Sequence, residues 1–336
     1  EMKKEINEIT FLTKRTLLSL GFNEEDANIT TEVLLYAELR GNNQGLIKLV
    51  SRALTPNPNA TEISIIRESK VSAQIDGGQR IGMAVVHRAV EIAIQKTREH
   101  GLAVVGCSNY SSATGALGVW AKKITDAGFV GIIMTQCPEM VAPHGSYEPI
   151  FGTNPIAIGV PTLPRPQILD MATSAEAWFG LITAESEGLS IRSDIAYDSE
   201  GNETTNPTEA LKGALRVFDR SYKGSHLALM IELLAGAMTG AAMNSKKEAK
   251  NWGSLVIAID PNEFTSLEEF QTNAGIMCER VKNAQRLKGV TEIMLPGERG
   301  DNIEKQNREN GTIEISQNIY DKLLSFSVEE NQNQDK

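Results

Sequence analysis

The chain has 336 residues, which is enough to bury a large core. This length exceeds that of one ordinary domain. Its net charge of −10, from 33 basic and 43 acidic residues, argues against a nucleic-acid or membrane-surface partner, since both need a concentrated positive field. Cys107, Cys137 and Cys278 form no CxxC motif and leave one thiol over in any pairing, which favours a reducing, cytoplasmic location. No signal peptide or membrane span is expected.

The first third of the chain predicts helices followed by a strand–helix alternation. Apolar residues at helical spacing up to Gly21 predict a first helix, and Asn23 caps a second helix that ends near Arg40. After a GNNQG turn and a Pro/Asn-rich loop, VSAQID alternates as a strand. A long helix over 83–100 follows, with Gly101 as its C-terminal cap.

The remaining elements continue this alternation. LAVVGC, FVGIIMT, PIAIGVP, PQILDM and LVIAID are apolar runs typical of strands. Helices are predicted over 115–127, within 208–243 and over 266–284, and a strand and a helix close the chain. The mixture predicts an α/β or α+β class.

The common cofactor and metal motifs are absent from the sequence. It contains no G-x-G-x-x-G between a strand and a helix, no phosphate-binding G-x-x-x-x-G-K-[ST], no HExxH and no metal-spaced histidine pair. Four small-residue turns follow successive strands instead: 108–118, 135–146, 151–159 and 169–174. Each alone is typical of an ordinary turn, but four in succession favour a site where the backbone approaches a polar ligand.

These turns carry a family resemblance. EHGLAVVGCSN, MVAPHG, GTNPIAIGVP, LDMATS, KGSHLALMIELLAG and VIAIDP occur in the order found in the malate/L-lactate/ureidoglycolate dehydrogenases, and the chain resembles that family along nearly its whole length. The resemblance implies an NAD- or NADP-dependent oxidoreductase acting on small 2-hydroxy or 2-oxo acids, usually as a homodimer.

The resemblance also implies a fold and a division into domains. The expected fold is α/β with a mixed, largely antiparallel sheet, of the L-sulfolactate dehydrogenase type rather than the Rossmann type, with interleaved domains. Residues 1–118 and 285–336 are expected to form a helical domain for substrate binding and dimerisation. Residues 119–284 are expected to form the NAD(P)-binding domain.

By the same resemblance, three groups of residues contact the cofactor. The first is Cys137, where relatives have a small polar residue, together with Asp170, Met171 and Ala172. The second is Lys223, and the third is the late turn Gly297, Glu298 and Arg299. From the residues alone, Lys223 is equally compatible with a solvated surface lysine, and Asp170 with a cap of the next helix. The sequence does not discriminate NAD from NADP.

The catalytic half of the pattern departs from the family. Relatives have R-G-x-x-S-H-G, with a proton-transfer histidine, where this chain has a turn one residue shorter and Gln44. A second histidine of some relatives is replaced by Ala113 or a neighbour, and Lys48 stands where relatives have an arginine for the substrate carboxylate. Glutamine hydrogen-bonds a carbonyl but exchanges no proton near pH 7, and lysine loses the bidentate geometry of arginine.

Other residues are candidates for the proton-transfer role. His144 lies in the APHGS turn, and His226 follows Lys223 by three residues. Tyr110 is a third candidate. Their ordinary alternatives are a loop histidine bonded to backbone, a core histidine and a packing aromatic.

Three hypotheses follow from these departures. The first is an active 2-hydroxy acid dehydrogenase in which Gln44 polarises the carbonyl and Lys48 meets the carboxylate. The second is a nucleotide-binding paralogue with little or no dehydrogenase activity. The third is a dehydrogenase whose substrate carries a different polar head.

Overall fold

The computed structural model describes residues 2–42 and 44–333, with side chains up to 326, so Asn43 of the GNNQG turn lies outside the described residues. In chain order the elements are β1 Met2–Glu5, α1 Ile6–Ser19, α2 Glu24–Leu39, α3 Ile47–Val50, β2 Ser64–Glu68, β3 Ser72–Asp76, α4 Gly82–His100, β4 Leu102–Tyr110, α5 Gly118–Asp126, β5 Val130–Thr135, β6 Ile156–Val160, β7 Gln167–Met171, α6 Trp178–Ser186, β8 Ala196–Tyr197, α7 Pro207–Lys212, β9 Ala214–Leu215, α8 Tyr222–Ile231, a π-helix Glu232–Gly236, a 3₁₀ turn Ala237–Thr239, α9 Lys246–Ala249, β10 Trp252–Ile259, a 3₁₀ turn Pro261–Glu263, α10 Leu267–Lys282, α11 Glu298–Asn310, β11 Thr312–Ile315 and α12 Gln317–Asn333.

A seven-stranded sheet organises the fold, in the order β2-β3-β4-β10-β5-β6-β7. Only the β3–β4 pair is parallel among these described strands. The predicted α/β class and largely antiparallel sheet are therefore confirmed. The helices α4 and α5 contact this sheet, and their buried faces join its apolar side chains in the main core.

The predicted helix boundaries are confirmed where a cap defines them. The Asn23 side chain accepts the Asp26 N–H at 2.8 Å and begins α2. Gly101 ends α4 in the left-handed conformation, with φ +80°, which glycine adopts without a side-chain clash. Among residues 2–42 and 44–333, no helix has the length and apolarity to cross a membrane.

Three elements differ from the sequence-based prediction. MKKE forms β1, which pairs with β11 from Met2↔Ile315 to Glu5↔Thr312, instead of extending the first helix. The segment after LDMATS forms α6, and the late PGER turn runs directly into α11 at Glu298. The central sheet takes strands from both expected domains, and the division at 118 and 285 stays a prediction.

Candidate active site

The loop between α2 and α3 forms one side of the candidate site. The Glu38 carboxylate accepts the Leu46 N–H at 2.8 Å, and Asn42 Oδ1 accepts the Gln44 N–H at 2.9 Å. Gly45 fits against Glu38 because a Cβ there would lie 3.1 Å from the Glu38 backbone nitrogen and closer still to its carboxylate. This turn sets Gln44 and the following α3 against the interior.

Lys48 of α3 is a buried lysine facing a cavity. Lys48 is only 3% exposed, and its Nζ lies 3.8 Å from the centre of the Phe179 ring of α6. Burial lowers the pKa of the Lys48 ammonium to about 7, because the charged form loses its water; a nearby negative Cys137 would oppose that shift. Both protonation states of Lys48 are therefore accessible near neutral pH.

The GTNP and DMATS turns form the opposite side and are tied to each other. The Thr173 hydroxyl donates to the Thr153 and Asn154 carbonyl oxygens at 3.1 and 3.0 Å. Asn154 Oδ1 accepts the Cys137 N–H at 3.1 Å, which fixes the end of β5. Asp170 Oδ2 accepts the N–H of Gly118, the first residue of α5, at 2.7 Å. Several side chains of the GTNP and DMATS motifs therefore hold the backbone in place through hydrogen bonds.

A buried ion pair supports this wall from behind. Glu232 Oε1 accepts from Lys246 Nζ at 2.6 Å and from Asn154 Nδ2 at 2.9 Å, and Glu232 Oε2 accepts from Gln136 Nε2 at 3.0 Å. Glu232 and Lys246 are 4% and 1% exposed. Glu232 begins the π-helix, a distortion that is frequent at functional sites.

The two sides enclose a cavity of about 750 Å³, within the ordinary size of ligand pockets. Its lining includes Gln44, Lys48, Gln136, Cys137, Phe179 and the stretches 112–117 and 170–172. A second cavity of about 460 Å³ shares Asn42 and Asp170 with the first and is lined further by Arg40, Gly297 and Arg299. The two cavities therefore adjoin at Asn42 and Asp170.

The first cavity brings together six of the predicted site residues: Gln44, Lys48, Cys137, Asp170, Met171 and Ala172. Gly297 and Arg299 line the second, and the Glu298 carboxylate instead accepts from Lys282 Nζ at 2.8 Å. Ala113, at the position of the second family histidine, also lines the first cavity.

The other predicted residues lie outside both cavities. Lys223 and His226 are exposed on α8, with the His226 ring 5.5 Å from that of Tyr222. His144 is exposed, and its backbone N–H donates to Ser225 Oγ at 3.1 Å. Tyr110 is fully buried, with its hydroxyl 2.5 Å from Ser254 Oγ.

Sequence reasoning missed α6, which supplies Phe179, and the Glu232–Lys246 pair. An apolar WFGLI run directly after LDMATS was the available signal for α6. Nothing local to Glu232 or Lys246 indicates their pairing, because the contact joins the π-helix to the separate helix α9.

Known proteins match this architecture over almost the whole chain. The family model described as malate/L-lactate dehydrogenase matches residues 5–324. L-sulfolactate dehydrogenase of Methanothermobacter thermautotrophicus is 32% identical over 330 residues, covering 95% of this chain and 94% of that protein. The NAD(+) ureidoglycolate dehydrogenase of Escherichia coli is 30% identical over 334 residues, covering 94% and 93%.

A solved structure shows the same fold. The sulfolactate dehydrogenase of Methanocaldococcus jannaschii superposes with a TM-score of 0.81 at 31% identity, covering 98% of this chain and 97% of that one. The expected L-sulfolactate dehydrogenase type of fold is thereby confirmed. Members of the family include NAD- and NADP-dependent dehydrogenases that act on CH–OH groups. The chain belongs to the malate/L-lactate dehydrogenase family.

Proposed function

We propose that the protein is an NAD(P)-dependent dehydrogenase that interconverts a small 2-hydroxy acid and its 2-oxo acid in the 750 Å³ cavity. The observation that carries the proposal is the joining of two residue sets in one cavity. Gln44 lies just before α3 and Lys48 on it, in the segment that resembles the family's substrate-binding residues, and Asp170, Met171 and Ala172 lie in the segment that resembles its cofactor motif. A cavity of about 750 Å³ is large enough for a substrate of the malate, lactate or ureidoglycolate type.

The cavity has a feature that suits a nicotinamide. Gln136 is fully buried and lines the cavity, and its Oε1 accepts no hydrogen bond among the described residues. A carboxamide N–H would satisfy it, since a buried unpaired acceptor costs about 1–3 kcal/mol. When bound, NAD(P) supplies a hydride donor or acceptor. The rest of the dinucleotide would pass Asp170 into the second cavity, where Arg299 offers its guanidinium to a phosphate or ribose.

The substrate would lie between the cofactor motif and α3. Gln44 would hydrogen-bond the substrate oxygen, and the positive form of Lys48 would attract an anionic acid into an apolar setting. Lys223, His144 and His226 lie outside the cavity, so in this proposal none of them contacts the substrate of the same chain.

We propose a homodimer, because α8 and the turn after it expose several large apolar side chains. We also propose a reducing, cytoplasmic environment and no nucleic-acid or membrane partner. All three thiols are free, and the net charge is −10.

The test of cofactor binding is a titration of the protein with NADH and NADPH, followed by nucleotide fluorescence. Binding of at least one is expected. Gln136→Leu removes the acceptor, together with the Nε2 donor to Glu232 and Ala242, and should weaken binding at least about tenfold, as loss of a hydrogen bond of about 1.5 kcal/mol implies. Lys123→Ala, on α5 and outside both cavities, is the control and should bind like wild type. A wild-type protein that binds neither nucleotide would contradict the proposal.

One observation favours the alternative, a nucleotide-binding paralogue with little or no dehydrogenase activity. No histidine is among the described residues that line the first cavity. In that case NADH would bind, and no 2-oxo acid would be reduced at a rate above about 1 s⁻¹.

A further inference from the structure

Lys48 meets the chemical needs of a proton-transfer group better than those of a carboxylate anchor. Its Nζ makes no hydrogen bond or ion pair with the described residues, and its near neighbour is the face of Phe179. A carboxylate anchor is usually a permanently charged arginine that is held by other polar groups. Burial among apolar groups, without polar partners, favours the neutral form of an amine, and the lone pair of that form accepts a proton.

The other titratable groups of the cavity are already engaged. Asp170 accepts the Gly118 N–H, and Glu176 accepts the Ala177 N–H at 3.1 Å. Glu185 accepts from the Thr208 hydroxyl at 2.9 Å. Burial raises the pKa of the Cys137 thiol, so that thiol is a poor proton acceptor near neutral pH.

The elements around α3 add few other charges that face Lys48. From α2, Glu38 binds the Leu46 N–H, and burial raises its pKa to about 7. Helix α12 packs on α3 with the buried Leu323 and Phe326, while its Asp321 and Lys322 are exposed. Lys48 and Glu38 are therefore the two groups near this turn whose pKa lies close to 7, and across the cavity burial raises the pKa of Asp170 to about 6.

Resting on the proposed dehydrogenase function, we propose that Lys48 is the proton-transfer residue, in place of the family histidine. In oxidation the hydroxyl O–H bond breaks and its proton passes to the Lys48 lone pair. The bound cofactor would supply the acceptor for the hydride, so the carbinol C–H bond would break as the C=O bond forms. Lys48 then releases the proton to water. In reduction the Lys48 ammonium gives its proton to the oxygen that has become an alkoxide.

Protonation of Lys48 can be measured without turnover. An anionic substrate analogue beside Lys48 favours the ammonium, so the free amine must take up a proton when the analogue binds. At pH 8 most Lys48 is neutral, so the protein should take up close to one proton per site when oxamate binds. This uptake is measured by calorimetry in buffers of different ionisation enthalpy. It should disappear in Lys48→Met and remain in Glu38→Gln.

The decisive comparison is Lys48→Arg, since arginine keeps the charge but gives up no proton. Steady-state reduction of pyruvate, oxaloacetate and 3-sulfopyruvate should show kcat lower by at least about 100-fold in Lys48→Arg and Lys48→Met. The Kd for the nicotinamide cofactor should stay within about threefold in both. Lys96→Arg, a matched buried lysine on α4, should behave like wild type.

The outcomes separate the two proposals. If kcat of Lys48→Arg falls by less than about 100-fold, or if oxamate binding causes no proton uptake by the protein at pH 8, Lys48 has no proton-transfer role. If the wild-type protein binds no cofactor, the dehydrogenase function is itself wrong, and the role of Lys48 fails with it. Titration of ¹³C-lysine in the cofactor-free protein identifies Lys48 directly: one resonance, absent in Lys48→Met, should titrate near pH 7 instead of about 10.4.

Discussion

The burial of Lys48 affects stability as well as chemistry. The folded protein holds this ammonium at a pKa of about 7, whereas an unfolded lysine keeps 10.5. Between these two values the unfolded chain binds a proton that the folded chain lacks, so this group makes folding less favourable as the pH falls from 10.5 to 7. Below pH 7 both states are protonated, and the penalty stays constant.

Replacing Lys48 by methionine should therefore stabilise the protein at neutral pH. One pKa unit corresponds to about 1.4 kcal/mol, so we expect a gain in unfolding free energy of at least about 1 kcal/mol at pH 7. That gain should be clearly smaller at pH 10, because the burial penalty vanishes only above the unfolded pKa of 10.5. Urea unfolding at pH 7, 8.5 and 10 measures it. Lys122→Met, on the exposed side of α5, is the control and should show no such pH dependence. A Lys48→Met gain that is equal at all three pH values would contradict the burial effect.

At the level of secondary-structure elements, the GTNP turn is held by a buried network of charged and polar side chains. Glu232 receives hydrogen bonds from Lys246, from the Asn154 side chain and from the Gly152 N–H. The network ties the π-helix to the GTNP turn, which in turn fixes the end of β5 through Cys137. The wall of the cavity therefore depends on an ion pair outside it.

Breaking this pair from one side should be costly. Lys246→Met leaves the Glu232 charge buried without its cation, and we expect a loss of about 3–5 kcal/mol in unfolding free energy. Combining Lys246→Met with Glu232→Gln removes the charge and should recover part of that loss. Denaturant unfolding of the wild-type protein and of these two variants measures both effects. A loss below about 1 kcal/mol in Lys246→Met would show that the pair does not stabilise the wall.

The sequence predicted most elements, and six of its predicted site residues line one cavity, while their roles stay predictions. Regular periodicity and local caps such as Asn23 and Gly101 define helices, and apolar runs define strands. The strand β1 was missed because MKKE is charged and becomes a strand only by pairing with β11, far along the chain. The Lys48 environment was missed for the same reason, since it depends on Phe179 of α6.

Over the molecule as a whole, the proposed dimer rests on an apolar surface formed by α8 and the π-helix that follows it. Tyr222, Leu229 and Met230 of α8 and Leu233 of the π-helix are each more than 40% exposed. Helix α8, which is part of this surface, also carries Lys223 and His226. A partner subunit packed on the surface would therefore cover these two residues, which are sequence-based candidates for cofactor binding and proton transfer. These residues lie outside the cavities of their own chain.

Light scattering or sedimentation should accordingly give twice the 36.6 kDa mass of the chain. Placing lysines at Met230 and Leu233 should produce a monomer, because two buried charges would oppose the contact. Thr272→Lys on the exposed side of α10 is the control and should stay dimeric. A wild-type protein that is monomeric at micromolar concentration would contradict the homodimer.

In the proposed function, the cavity at Lys48 performs 2-hydroxy acid dehydrogenation although no histidine lines it among the described residues. The most direct measurement is reduction of pyruvate, oxaloacetate and 3-sulfopyruvate with NADH and NADPH, followed at 340 nm across pH 6 to 9. We expect turnover above about 1 s⁻¹ with at least one pair and a pH profile whose limb near pH 7 is absent in Lys48→Arg. Cofactor binding without reduction of any of the three acids would contradict the claim and favour the inactive paralogue.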